Sequence, residues 1–137
     1  MLPYCNTMEQ RSQYLDTAVV FIVTDLKRSV HWYRDRLGFE VPEPDWTTNP
    51  GFCIAQQEGA AVMLRLGENL AAFNRDLVPG LDLWDAYFWV RDIEAVHRNL
   101  QKRGTDIHDG PCLKPHGCTE IRVLDPDGYM LGFGYCP

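Results

Sequence analysis

No apolar run in the chain approaches the roughly 20 residues that a membrane-crossing helix needs, and the opening MLPYCNTMEQRSQYL has neither the basic flank nor the apolar block of a secretory signal. These absences lead to the expectation of a cytoplasmic protein with no membrane partner. Basic residues are also in deficit: 13 Lys and Arg stand against 19 Asp and Glu, a formal charge of −6. Phosphate backbones need a local excess of positive charge, so nucleic acid is not an expected partner and a cationic small molecule is better received. The five cysteines form no Cys-x-x-Cys pair, which argues against a zinc knuckle or a disulfide framework. Reduced thiols are the expectation, in preference to a bridge between Cys112 and Cys118. There is no Gly-x-Ser-x-Gly elbow and no phosphate-cradling glycine loop, and the spacing of His116 and Cys118 does not by itself make a thiol nucleophile.

The chain does contain a two-fold repeat. AVVFIVTDLKRSVHWYRDRLGFEV from Ala18 and AYFWVRDIEAVHRNLQKRGTDI from Ala86 share one shape, an apolar strand ending in Val-x-Asp followed by an amphipathic helix closed by Gly. Asp25 and Asp92 are the expected N-caps, and Gly38 and Gly104 the left-handed stops. Leu26, Val30, Tyr33 and Leu37 recur at helical spacing in the first helix, as do Ile93, Val96 and Leu100 in the second. Short strand signals follow each helix: FEV, GFCIAQQ and AAVMLRL, then TDI, TEIRVL and YMLGFGY, the last two joined by the turn DPDGY.

The expected class is therefore α+β, with two tandem βαβββ modules forming a curved mixed sheet around a concave cavity, helices on the convex side. Residues 1–16 form an N-terminal extension and 17–137 one domain. Module one covers about 17–67, a linker with a short helix about 68–84, and module two about 85–136. Strand alternation turns Val19, Phe21, Val23, Ala86, Phe88 and Val90 toward the helices. Ala18, Val20, Ile22, Asp85, Tyr87 and Trp89 face the cavity, an assignment that a one-residue slip inverts.

Val23 to Val41 (V-x-D-L-x-x-S-x-x-W-Y-x-x-x-L-G-F-E-V), the second V-x-D-I-x-A-V from Val90, and the closing D-P-D-G-x-x-L from Asp125 resemble the glyoxalase, bleomycin-resistance and extradiol-dioxygenase superfamily. The resemblance covers about Thr17 to Tyr135. It implies the glyoxalase-like fold, and a homodimer with cavities completed across the interface. Metal-using members place a His or another ligand seven residues before each helix-opening Asp, and a Glu on the last strand of each half. Here those positions carry Ala18 and Asp85, then Gly132 with a counterpart near Met63 or Arg65. The resemblance thus points to the metal-free bleomycin-resistance-like branch, with no cofactor and no catalytic residue.

The expected function is sequestration of a bulky aromatic or cationic molecule. Its ligand-binding set is Trp89, Tyr87, Trp46, Asp85, Met63, Arg65, Phe52 and Gly132. The aromatics supply stacking surfaces, Asp85 supplies charge together with Asp45 and Glu68, and Gly132 and Gly134 leave room. Trp46, in the Pro-rich stretch EPDWTTNPGF, is a candidate lid or dimer contact. Of the four histidines, His31 and His97 fall on exposed helix positions and His108 lies in the loop around HDGPCLKPHG; His116 in that same loop is the best functional candidate. The alternatives are a glyoxalase-like lyase or isomerase holding a divalent metal through atypical ligands, and a non-catalytic dimeric accessory domain.

Overall fold

The computed structural model describes residues 13–43, 45–48, 51–69 and 72–137. Most of the expected extension, with Cys5, lies outside the described residues.

The first module opens with β1 (Thr17–Val23) and α1 (Leu26–Leu37), continuing into the hairpin of β2 (Phe52–Gln57) and β3 (Ala60–Leu66). A short α2 (Asn74–Leu77) interrupts the linker. The second module runs β4 (Ala86–Trp89), α3 (Ile93–Lys102), β5 (Asp109–Leu113), β6 (Thr119–Leu124) and β7 (Met130–Tyr135). Both helices start as expected: the Asp25 side chain accepts from Arg28 N–H and that of Asp92 from Ala95 N–H, each at 3.1 Å. Each carboxylate so satisfies one of the donors that a helix start leaves unpaired. Gly38 and Gly104 take the positive φ that ends each helix, 79° and 69°.

The strands form two mixed sheets, ordered β1-β3-β2 and β4-β7-β6-β5, with the first strand of each module parallel to its last. This is the glyoxalase-like α+β architecture of two βαβββ-like units, but the two sheets are not hydrogen-bonded into one wall. In module one the expected strand FEV is reduced to a single bridge between Glu40 and Gln56. In module two it is displaced: TDI is not a strand, and Asp109–Leu113 pairs with β6 instead. Gly110 and Pro111 argue against a strand in sequence, yet an edge position tolerates them because one row of backbone groups needs no partner there.

One core joins both modules. Phe21, Val30, Tyr33 and Leu64 from the first and Leu100, Ile121, Val123, Leu131 and Phe133 from the second belong to a single buried cluster. The DPDG turn fastens the halves. Tyr129 stacks on Phe21 with ring centroids 4.0 Å apart and donates to Ile22 C=O at 2.7 Å. The Tyr33 hydroxyl donates to Asp125 at 2.9 Å, while Thr24 and Arg28 both reach Asp127. Burial pushes the Asp125 carboxyl up to about 6 against the hydrogen bonds from Tyr129 N–H, Tyr33 and Asp127 N–H, which favour its charged form.

The cysteine expectation is corrected. Cys118 and Cys136 form a disulfide, with Cα atoms 4.3 Å apart. The antiparallel register pairs Thr119 with Tyr135, so the next residues outward stand opposite one another. Cys53 and Cys112 are free. No helix among the described residues is long and apolar enough to cross a membrane.

Candidate functional site

Each sheet buries one face under the helices and leaves the other open. In module one Phe21, Val23, Ala55, Val62 and Leu64 are buried, while Val20 is 58% exposed. Register then sorts the open face into transverse rows, Val20–Met63–Ile54 and Ile22–Arg65–Phe52. Module two repeats the pattern as Tyr87–Gly132–Arg122 and Trp89–Gly134–Glu120. Trp89, 77% exposed, is the most open ring of this face.

The chemistry of the second face converges on Glu120. Its carboxylate is fully buried, yet it meets four side chains: Trp84 Nε1 at 2.7 Å, Arg122 Nε at 2.8 Å, Tyr87 Oη at 3.2 Å and His116 Nε2 at 3.2 Å. Burial pushes this carboxyl up, but the hydrogen bonds of Trp84 and Arg122 and the charge of Arg122 outweigh it and hold the group below the usual carboxylate range. Burial and the neighbouring carboxylate push Tyr87 up to about 12, so the phenol stays neutral and donates. Arg122 also bridges to Asp82 at 3.1 Å, and His108 lies 3.5 Å from that same carboxylate. The rings form a continuous strip: Trp89 to Tyr87 at 5.7 Å, Tyr87 to Trp84 at 5.0 Å, and Trp84 to His116 at 5.8 Å.

The glycines explain how the strip lies so close to the sheet. A Cβ on Gly132 would stand 2.8 Å from Tyr87 Cδ2 and 2.9 Å from Trp84 Nε1, and one on Gly134 2.6 Å from Tyr87 Cζ. Both spaces are filled by the protein's own aromatic rings. Gly132 therefore does not open room for a ligand, which corrects the reading of these residues as vacant floor; they let Tyr87 and Trp84, whose rings stand at 84° to one another, come close to the strand and reach Glu120.

Of the other expected site residues, Met63, Arg65 and Phe52 lie together on the open face of module one, and Tyr87 and Trp89 on that of module two. Asp85 is occupied elsewhere. Its carboxylate accepts from Asn74 N–H and Met130 N–H, both at 2.8 Å, and pairs with Arg75, so it braces the linker against β7. Trp46 belongs to a loop anchor: its indole donates to Glu43 and its ring lies under Lys27 of α1. Asp45 closes the local turn with Thr47 and Thr48, whose hydrogen bonds hold its carboxyl at about 2.

Glu120 was missed in the sequence although a signal existed, since in TEIRVL it alternates with the buried Ile121 and shares a face with Arg122. Trp84 comes from the linker, where no periodicity marks it.

The metal that the fold family often carries does not fit these residues. Ala18 and Gly132 have no donor, and Asp85 is committed to backbone N–H groups. No three His, Cys, Asp or Glu side chains among the described residues converge as a ligand set. A crevice of about 990 Å³ also lies where β1 and β4 approach, lined by Thr17–Val19, the β2–β3 turn, Ala86–Trp89 and α3. Trp89 stands at its junction with the aromatic strip.

No protein-family model and no curated protein matches the chain. Solved structures do. A glyoxalase/bleomycin resistance protein/dioxygenase from Alicyclobacillus acidocaldarius superposes with a TM-score of 0.71 at 16% identity, covering 92% of this chain and 94% of that one. A glyoxalase/bleomycin resistance protein from Catenulispora acidiphila gives 0.65 at 23% identity, over 90% and 100%. A member of the glyoxalase/bleomycin resistance protein/dioxygenase superfamily from Sphaerobacter thermophilus gives 0.59 at 22% identity, over 91% and 98%. At these identities the likeness is one of fold.

Proposed function

We propose that the chain is a glyoxalase/bleomycin-resistance superfamily protein that binds and sequesters a small planar molecule on the aromatic face of module two, without a metal. The observation that carries this reading is Trp89: a tryptophan 77% exposed at the end of a strip of contacting rings. An indole left in water forgoes the stabilisation that burial gives it, and a flat aromatic or cationic ligand restores that contact. The residue positions support sequestration over metal chemistry, because the donors a divalent ion would need are absent or already engaged.

The open apolar row of Val20, Met63 and Ile54 favours a homodimer in which a second copy covers this face and completes the cavity. Affinity for the ligand would then depend on protein concentration below the dimer dissociation constant, which sedimentation measures directly.

The test is a fluorescence titration of wild type and Trp89→Ala with planar aromatic cations. Losing one stacking face weakens binding about two- to thirty-fold. The free protein's stability stays within about 0.5 kcal/mol, since an exposed ring contributes little to the core. Equal affinities for the two proteins would remove Trp89 from the site and this reading with it.

A further inference from the structure

The Glu120 cluster fixes more than a surface. His116 is 41% exposed, while the carboxylate behind it is fully buried. Its Nε2 faces an ionised acceptor at 3.2 Å that Trp84, Tyr87 and Arg122 already supply with hydrogens. A carboxylate presents only lone pairs, so a neutral imidazole must turn its N–H toward Glu120. Its other nitrogen, Nδ1, is then a bare acceptor at the end of the aromatic strip opposite Trp89. The neighbouring charges reinforce that polarity. Arg122 is shared between the carboxylates of Glu120 and Asp82, so the cluster holds one arginine against two acids.

We infer that His116 is the specificity-determining handle of this site, held by Glu120 as a hydrogen-bond acceptor, and that the ligand is a planar aromatic carrying an N–H donor. Glu120 is a positioning residue: it sets the tautomer and touches no ligand. This rests on the binding reading above and narrows it. A ligand that offers a carboxylate or carbonyl at that end meets a lone pair and a negative cluster, and is rejected. Donor and ring together are needed, because the strip alone discriminates by shape only.

Two measurements test it on the full-length protein. The first needs no ligand: long-range nitrogen–proton NMR of the imidazole rings, with His116 assigned by its loss in His116→Phe. The protonated nitrogen is expected to be Nε2 in the wild type, and Glu120→Gln is expected to erase that preference while the fold's amide spectrum persists. A wild-type His116 protonated on Nδ1 overturns the inference. The second compares 2-naphthamidine with 2-naphthoate, which share a ring system and differ in offering donors or acceptors. Calorimetry is expected to show the amidine binding at least about tenfold more tightly to the wild type, as for a hydrogen bond to a charged donor. His116→Phe, which keeps a ring and the net charge, should reduce the preference to about threefold or less.

Equal affinities in the wild type, or a preference that survives in His116→Phe, overturn the assignment of His116. Failure of both probes to bind, with Nε2 still protonated, falls instead on the aromatic-ligand reading, and the narrower inference goes with it.

Discussion

Replacing Gly134 by alanine separates a floor from a bracket. An added Cβ would lie 2.6 Å from Tyr87 Cζ and 2.9 Å from Cε1, with the hydroxyl closer still. Ordinary carbon contacts are about 3.5–4.0 Å, so the outer half of the ring must move away by about 1 Å or more. That displacement breaks the 3.2 Å bond from Tyr87 to Glu120. A hydrogen bond to a charged acceptor contributes about 1.5–3 kcal/mol, and Glu120 retains three other partners, which places the loss at the low end. Alanine returns about 0.5–1 kcal/mol by restricting the unfolded chain at a strand position. The net destabilisation is therefore about 1 kcal/mol, small beside the spectroscopic effect. Tyr87, pushed up to about 12 by burial and by Glu120, should fall back toward the ordinary tyrosine range once it leaves its place. Spectrophotometric titration reads this directly, with Tyr87→Phe identifying the transition. A Gly134→Ala protein that gains stability and keeps the high-pH tyrosine would refute the placement of the ring over the glycine.

Other perturbations report on the rest of the fold. The Asp125 carboxyl sits near 6 in the folded chain, above the value of about 3.9 for a free aspartate, so the native state binds the extra proton. Its contribution is fully present below about pH 4 and is lost as pH rises through about 6, an effect of about 2–3 kcal/mol for a shift of this size. Asp125→Asn keeps an acceptor for Asp127 N–H and Tyr129 N–H, and urea unfolding at several pH values should show that slope flattened. An equally steep variant would place its origin elsewhere. Removing the Cys118–Cys136 bridge, which closes a separation of 18 residues, should lower stability by about 3 kcal/mol. Unfolding of Cys118→Ser/Cys136→Ser beside the oxidised wild type measures it, and identical midpoints would mean the thiols are not paired in solution. Calorimetric titration of chelator-treated protein with zinc, nickel, manganese and anaerobic ferrous ions should give no stoichiometric micromolar binding, because no three donors converge among the described residues. Such binding would sink the metal-free reading.

Caps and periodicity made the scaffold legible. Asp25, Asp92, Gly38 and Gly104 are local devices, decided by the residues within one helical turn, so a linear reading finds them. The alternation of Phe21 and Val23 against Val20 and Ile22 is likewise visible, because burial on one face repeats every second residue. Edge strands follow different rules. Asp109–Leu113 carries a glycine and a proline that would disqualify a central strand, and its pairing comes from β6 rather than from its own composition. The disulfide follows from a hairpin register that composition does not encode. The Glu120 cluster is less legible still, since it joins a linker tryptophan, a strand tyrosine and a loop histidine that only the folded sheet brings within hydrogen-bond distance.

The duplication sharpens the functional assignment. Aligning Asp25 with Asp92 puts Val20 over Tyr87 and Ile22 over Trp89, and the strand pairings carry the correspondence across each sheet. Met63 and Arg65 then stand where the second module has Gly132 and Gly134, while Ile54 and Phe52 stand where it has Arg122 and Glu120. The same backbone thus presents two surfaces of opposite character. Side chains on the central strand of the first face hold any overlying group away from the sheet, and the row beside them is apolar, which suits cover by another protein surface. Glycines on the central strand of the second let aromatic rings lie on the backbone and bring their donors to a buried carboxylate. The first-module position that corresponds to Glu120 carries the apolar Phe52, across from Arg65. The glycines and Glu120 therefore work together, the space bringing the donors of Tyr87 and Trp84 to the charge, and this supports the proposal that a ligand is recognised on the second module while a second copy covers the first.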